Sequence, residues 1–170
     1  SVGAINLRAA SANVHTLYPA EENAAGTQVA GIILLGKVQI LEERFNNASL
    51  DFIGVQEGRS RRCEVRSGLH YEMFVGKANL DGGGGCQVWV RRALRFRLGE
   101  FLTPNERITA VTGVLSAYGL RVVFISAHAP TAAAPSDVRD AFSSRLGSIV
   151  ADLTARYPKH RLFLGIVANG

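Results

Sequence analysis

Two cysteines, one methionine and one tryptophan occur among the 170 residues of this chain. Cys63 and Cys86 stand apart, and neither belongs to a Cys-x-x-Cys pair. That excludes a disulfide framework and argues against a structural zinc site. Free thiols in a reducing, intracellular compartment are expected, with the nucleus open as a location. No apolar run reaches the length that crosses a bilayer. The segment from Val29 to Leu41 comes nearest, but it contains Lys37, is followed by Glu42-Glu43, and lacks a basic leader and cleavage context. Stable membrane insertion is therefore not expected. The run Gly82-Gly83-Gly84-Gly85 lacks the Lys-Ser/Thr of a phosphate-binding loop and is not GxGxxG opening a helix. A doubly wound nucleotide-binding fold is accordingly a poor match. No repeat, linker or low-complexity tract divides the chain.

What is present suits one globular domain. The composition is 47% hydrophobic, enough to bury a core. The net charge of +5 permits an anionic partner, and its distribution is uneven. Residues 59 to 97 carry nine Arg/Lys against three Asp/Glu, whereas the rest carries ten against eleven.

Strand and helix patterns alternate. Ile5 to Val14 reads as a first strand, 18 to 28 as a loop, and Leu34, Val38, Leu41, Phe45 and Ala48 as the apolar stripe of a helix. Strands are predicted over Asp51 to Gln56, Tyr71 to Val75, Cys86 to Val90 and Arg95 to Phe101, the last two as potential partners. Thr109 to Tyr118 and Leu120 to Ala129 give a hairpin signal around Gly119. Asp137, with Asp140 three residues on, is predicted to cap a helix. Its buried stripe is Val138, Phe142, Leu146, Ile149, Leu153 and Tyr157, and it stops near Pro158. Arg161 to Val167 forms the last strand. Mixed sheets covered by helices, an α+β arrangement, fit this order best.

Three polar residues end strand-like runs. Glu57 closes Asp51-Phe-Ile-Gly-Val-Gln-Glu57. A carboxylate there suits a hard cation such as magnesium, which often keeps several waters, or serves as a satisfied structural group. Strand alternation places it with Ile53 and Val55, opposite Gln56. His128, in Phe124-Ile-Ser-Ala-His-Ala-Pro130, can donate to a phosphoryl oxygen, act as an acid or base, or simply finish a rim hydrogen bond. Asn13 can orient a ligand or cap a loop. The arginines 59, 61, 62 and 66, then 91, 92, 95 and 97, either grip nucleic-acid phosphates or form a solvated sheet edge. Tyr71 and Trp89 can stack on bases or pack in the core.

In order along the chain, these segments resemble the endonuclease/exonuclease/phosphatase superfamily, which includes DNase I-like nucleases, abasic-site endonucleases and non-LTR retrotransposon nucleases. The resemblance rests on Ser11-Ala-Asn-Val-His-Thr-Leu17, Asp51 to Glu57, Gly82-Gly-Gly-Gly-Cys-Gln-Val88, Val122 to Pro130 and Leu162-Phe-Leu-Gly165. It implies a DNase I-like four-layer α/β sandwich, with residues 1–170 as a partial domain cut before its C-terminal part. It implies Glu57 as a metal position, and Asn13 and His128 as catalytic positions that orient or neutralise phosphate. The cation would be magnesium, or manganese in its place, weakly held because the second half of the site is missing. Arg59, Arg61, Arg62, Arg91 and Arg95 are the nucleic-acid contacts expected from the basic segment, with DNA the first partner and RNA the second.

Two departures limit the activity this implies. After Gly165 the chain reads Ile166-Val-Ala-Asn-Gly170. Direct alignment puts Ile166 at the family's aspartate and Ala168 at its asparagine, with Asn169 one residue late. The family's later aspartate and its near-terminal Asp-His pair have no counterpart. An inactive fragment is therefore expected, paired with a missing C-terminal half-domain or a covering protein. The alternatives are a degenerate nucleic-acid- or protein-binding module and a phospholipid or phosphoinositide phosphodiesterase.

Overall fold

Two sheets whose central strands are buried on both faces organise the chain, seen in a computed structural model that describes residues 5–15, 17 and 36–168. The first sheet has the order β1-β2-β5-β4-β3, built from β1 (Ala9–Asn13), β2 (Phe52–Gln56), β3 (Glu64–Ser67), β4 (Tyr71–Val75) and β5 (Gln87–Arg91). The second has the order β6-β7-β8-β9, from β6 (Phe96–Asn105), β7 (Ile108–Leu115), β8 (Leu120–Ala129) and β9 (Arg161–Ala168). Two helices, α1 (Lys37–Asn47) and α2 (Ser136–Arg156), cover the outer faces.

Three apolar layers result from the period-2 patterns. Phe52, Phe74, Val88 and Val90 of the first sheet meet Val111, Val122 and Phe124 of the second. Phe52 and Phe124 stack there with ring centroids 4.4 Å apart. Ile53, Val55, Tyr71, Met73 and Trp89 face the other way, against Val38, Leu41 and Phe45 of α1. Ile108, Val123 and Ile125 pack with Leu146 and Leu153 of α2. This is the α–β–β–α sandwich expected of an α+β, DNase I-like chain.

Several local expectations change. The first strand is shorter than Ile5 to Val14, because Arg8 N donates to Asp51 Oδ2 at 3.0 Å and ties down the chain before pairing begins. Arg95 to Phe101 does not pair with Cys86 to Val90. A 3-10 turn over Arg92–Leu94, followed by Arg95 at φ 50°, carries the chain into the other sheet. Leu94 is buried between the sheets at that crossing. Glu64–Ser67 forms an edge strand that apolar alternation did not predict, and Arg66 there bonds Glu64 at 2.6 Å. Asp137 does not cap α2. The cap position is Pro135, without a side-chain bond, and Asp137 sits in the first turn, where a negative charge still favours the helix dipole. Val138 is exposed, whereas Leu146 and Leu153 are buried. Tyr71 and Trp89 are fully buried, so neither is a stacking platform for bases. Leu34 and the 18 to 28 loop lie outside the described residues. Cys63 and Cys86 are free.

Candidate phosphate and cation site

The parallel pairing of β1 with β2 brings two strand ends to the same sheet edge, with Asn13 beside Gln56 in register. Regular alternation would then send Glu57 to the α1 face. It does not, because the backbone at Glu57 turns left-handed, φ 55°, and does so again at Arg59, φ 56°. Each such non-glycine residue costs about 1–2 kcal/mol. The turn is held by Gly58 N donating to Gly85 O at 2.9 Å and Arg59 N donating to Gly84 O at 3.1 Å. A Cβ on Gly58 between them would lie 2.1 Å from Nε2 of the buried Gln87, so a side chain there would displace that amide.

This reversal puts the Glu57 carboxylate among donors from three parts of the chain. Asn13 Nδ2 donates to Oε1 at 3.1 Å. His128 Nε2, from the far end of β8, lies 3.5 Å from the same oxygen. His15 Nδ1 is 3.1 Å from Oε2, and the Arg59 guanidinium is 3.5 Å from it. The first three residues are Asn13, Glu57 and His128, all predicted from sequence, and they meet. Lys37, at the start of α1, closes one side by donating to the carbonyl oxygens of Val14 and His15.

Beneath the site runs a buried polar seam between the sheets. Gln56 Nε2 donates to Ser11 Oγ and Ser126 Oγ, both at 3.0 Å. Ser126 Oγ donates in turn to Val55 O at 3.2 Å. The seam locks β1, β2 and β8 side by side, and so sets the positions of Asn13, Glu57 and His128 at their ends.

Burial alone would raise the Glu57 pKa. The Asn13 hydrogen bond and the charges of His128, His15 and Arg59 outweigh it, and the net shift is downward. Burial pushes His128 down, with Glu57 opposing and Arg107 and His15 assisting. The lowered value leaves His128 mostly neutral at pH 7. Lys37 is also lowered, by burial first and then by the Arg59 charge.

Glu57 and His128 each stabilise the fold above their unfolded values and lose that contribution as pH falls through the folded ones. The thermal midpoint is expected to decline below about pH 6.5 as His128 is forced to charge, and again below about pH 4.5 as Glu57 protonates. In His128→Gln the first decline should shrink to the part due to His160, which burial also lowers, and the second should remain. Superimposable pH profiles for the two proteins would contradict the assignment.

The predicted arginines do not form one patch. Arg61 and Arg62 are exposed on the turn after Arg59, where Arg62 N donates to Ser60 Oγ at 3.2 Å. Arg91 lies at the opposite end of β2, paired with Asp51 at 3.8 Å and donating to Asn46 Oδ1 at 2.9 Å. Arg95 is at that same far end, its carbonyl accepting from Ser116 N. Five strand residues, about 17 Å, separate the two groups. Arg91 and Arg95 are thus remote from Glu57, because β5 runs antiparallel to β2.

Ile166 is the register partner of Ala127 and lines an apolar cavity of about 550 Å³ with Phe142, Leu146 and Val150 of α2. Val167 is the residue paired with His128. Whichever of the two is compared with the family's aspartate, the chain offers an apolar side chain. Asn169 lies outside the described residues. His15 and Lys37 were missed. His15 stood inside the Ser11 to Leu17 motif, two residues from Asn13, but its φ of 45° was not legible there. Lys37 carried no signal beyond opening a helix.

Glu57 fits one kind of cation. Magnesium can be held by one or two carboxylates together with water and substrate phosphate oxygens, and one carboxylate is present. Among the described residues no cluster of three or more His, Cys, Asp or Glu side chains could hold a metal ion. A closed zinc site is therefore a poor fit.

No family model and no curated protein matches the chain. Solved structures do. An endonuclease/exonuclease/phosphatase family protein from Bacteroides thetaiotaomicron aligns with TM-score 0.63 and 14% identity, over 94% of this chain and 62% of that one. Mannosyl-6-phosphatase Bt3783 of the same organism gives 0.58 and 13%, over 88% and 60%. The endonuclease domain of TRAS1, a telomere-specific non-LTR retrotransposon, gives 0.55 and 18%, over 97% and 60%. The neighbours thus include both nucleases and phosphatases, and this chain spans under two thirds of the length of each. The chain has the DNase I-like fold of the endonuclease/exonuclease/phosphatase proteins.

Proposed function

We propose that this chain carries the cation- and phosphate-holding half of a divalent-metal-dependent phosphodiester hydrolase site for nucleic acid, and that by itself it binds with little or no turnover. The observation that carries this reading is the convergence of Asn13, His15, His128 and Arg59 on the single carboxylate of Glu57. A magnesium ion held by Glu57 would supply positive charge against the phosphoryl oxygens. Asn13 keeps the carboxylate oriented. Neutral His128 can donate Nε2–H to a phosphoryl oxygen, and Arg59 can pair with another. Nucleic acid is favoured over a small phosphoester because Arg61 and Arg62 extend the positive surface beyond Arg59.

Turnover needs more. Val167 faces the site beside His128, and it can neither orient water nor accept its proton. A binding module without chemistry is the second reading, favoured by the same donors, which outnumber the one carboxylate.

Incubation with magnesium and nicked, abasic or supercoiled DNA is expected to give no cleavage above that of Glu57→Ala. Binding should weaken steeply with salt as counterions compete. Robust turnover that disappears in Glu57→Ala would defeat the inactive part of the proposal. Failure to bind DNA at low salt would remove the nucleic-acid part, and turnover of a lipid headgroup instead would favour a phospholipid phosphodiesterase.

A further inference from the structure

The end of the sandwich opposite Glu57 is built from three turns around the crossing between the sheets. The β3–β4 turn meets that crossing through Arg92, whose N donates to His70 O at 2.9 Å and whose guanidinium donates to Gly68 O at 3.0 Å. The β7–β8 turn meets it from the other side, with Ser116 N donating to Arg95 O at 3.1 Å and Ala117 N to Leu94 O at 3.2 Å. The α2–β9 turn lies alongside. Val122 pairs with Arg161 there, and burial, then the Arg121 charge, lower the pKa of His160. Each turn is closed by its own backbone bond: Gly68 N to Tyr71 O, Tyr118 N to Leu115 O and His160 N to Tyr157 O. The three turns thus share one fixed surface.

Two apolar side chains stand out from it. Leu69, at the tip of the β3–β4 turn, is 67% exposed, and Tyr118, at the tip of the β7–β8 turn, is 49% exposed. The charge around them is one-sided. Residues 67–72, 91–95, 116–121 and 157–161 carry Arg91, Arg92, Arg95, Arg121, Lys159 and Arg161 against Glu72. The neighbouring start of the first sheet adds Arg8 and Asp51, and Glu43 reaches His70 from α1. Each of these acids is engaged, Glu72 with Arg92 at 3.4 Å, Asp51 with Arg91 at 3.8 Å and Glu43 with His70 at 3.0 Å. At the end of α2, Arg156 is likewise matched by Asp152 and Glu100. Arg95, Arg121, Lys159 and Arg161 are exposed and make no ion pair among the described residues.

We infer that this end is a docking surface for an anionic phospholipid bilayer, with Arg95, Arg121, Lys159 and Arg161 against the headgroups and Leu69 and Tyr118 dipping between them. Attraction of basic residues to anionic lipid and shallow apolar insertion add to one another, and neither needs a segment that crosses the membrane. Tyrosine suits the headgroup level, with an apolar ring and a polar hydroxyl. Leucine offers a phosphate backbone nothing, whereas the acyl boundary accepts it. The cations alone would fit any polyanion, and the two apolar tips favour the bilayer. The surface is separate from the candidate site, because the length of β2, about 17 Å, lies between them. A chain docked this way keeps Glu57 facing solution, so the bilayer is an anchor and not a substrate.

The test is co-sedimentation of the full chain with phosphatidylcholine vesicles, with and without phosphatidylserine, and titration of the same proteins with duplex DNA. Wild type is expected to bind only the anionic vesicles, and less as salt rises. Arg121→Ala/Arg161→Ala should weaken vesicle binding about thirtyfold, a factor of about five for each cation. Leu69→Ser/Tyr118→Ser leaves the charge unchanged and should weaken it about tenfold. All four side chains are exposed, and thermal melting checks that each variant is folded. Failure of wild type to bind anionic vesicles at low salt would overturn the proposal. Full vesicle binding by Leu69→Ser/Tyr118→Ser would overturn the bilayer as the occupant, and a matching loss of DNA affinity in Arg121→Ala/Arg161→Ala would then assign the surface to nucleic acid. Arg61→Ala/Arg62→Ala changes charge at the Glu57 end. A loss of vesicle binding there equal to that of Arg121→Ala/Arg161→Ala would overturn the location.

Discussion

Replacing Glu42 with alanine is expected to cost about 3 kcal/mol of stability, the largest loss from any single charged side chain among the described residues. Glu42 is in the middle of α1, in a sequence position that looks solvated, yet it is 3% exposed. Its Oε1 accepts from His70 N at 2.9 Å and Tyr71 N at 3.2 Å. These are the first two amides after the β3–β4 turn, and the carboxylate clamps α1 onto that turn. Gly68 gives way to it, since a Cβ there would be 2.2 Å from Oε1. Alanine would leave the Tyr71 amide buried without an acceptor and loosen the contacts of Phe45 with Tyr71 and Trp89, whose ring centroids lie at 6.5 and 5.7 Å. For a chain of this size, about 3 kcal/mol lowers the melting midpoint by about 6–12 °C. Glu42→Gln keeps one acceptor and should lose about a third as much. Urea denaturation of the three proteins decides the matter, and an alanine variant within about 0.5 kcal/mol of wild type would refute the clamp.

Glu57→Gln is expected to act in opposite directions with and without a divalent cation. In chelator, the wild-type carboxylate repels phosphate and occupies the Arg59 guanidinium. Glutamine removes the charge while keeping an oxygen for Asn13. Duplex DNA should then bind about tenfold tighter, or about 1.4 kcal/mol, at an effective dielectric typical of a site near the surface. On adding magnesium at constant ionic strength, wild type should gain affinity, because the cation turns a repelling group into an attracting one. The variant should not. Fluorescence anisotropy under the two conditions measures both effects. Equal affinities in chelator, with an equal magnesium response, would show that Glu57 neither faces phosphate nor holds a cation. A gain in chelator alone would leave an anion-binding site and remove the cation.

Much of this fold was legible because it rests on local periodicity. Phe52 to Gln56, Tyr71 to Val75 and Leu120 to Ala129 alternate or run apolar in ways a strand explains, and each is a strand. The Val38, Leu41 and Phe45 spacing marked the face of α1 that packs. Edge strand β3 was not legible, since an edge needs only one partner and its Glu-Val-Arg-Ser run carries little apolar signal. The partner of β6 was not legible either. The crossing between sheets depends on the left-handed backbone at Arg95 and on Leu94 filling a gap that only the assembled layers create.

By itself, the sequence determined most of the strands and helices, edge strand β3 excepted, and that Asn13, Glu57 and His128 stand at strand ends, because hydrophobic period and strand termination are properties of neighbouring residues. Tertiary structure alone decided that these three meet, that His15, Lys37 and Arg59 join them, and that Arg91 and Arg95 do not. Contacts between residues 44 and 71 positions apart depend on strand direction, sheet order and two left-handed turns. None of those leaves a periodic trace in the chain.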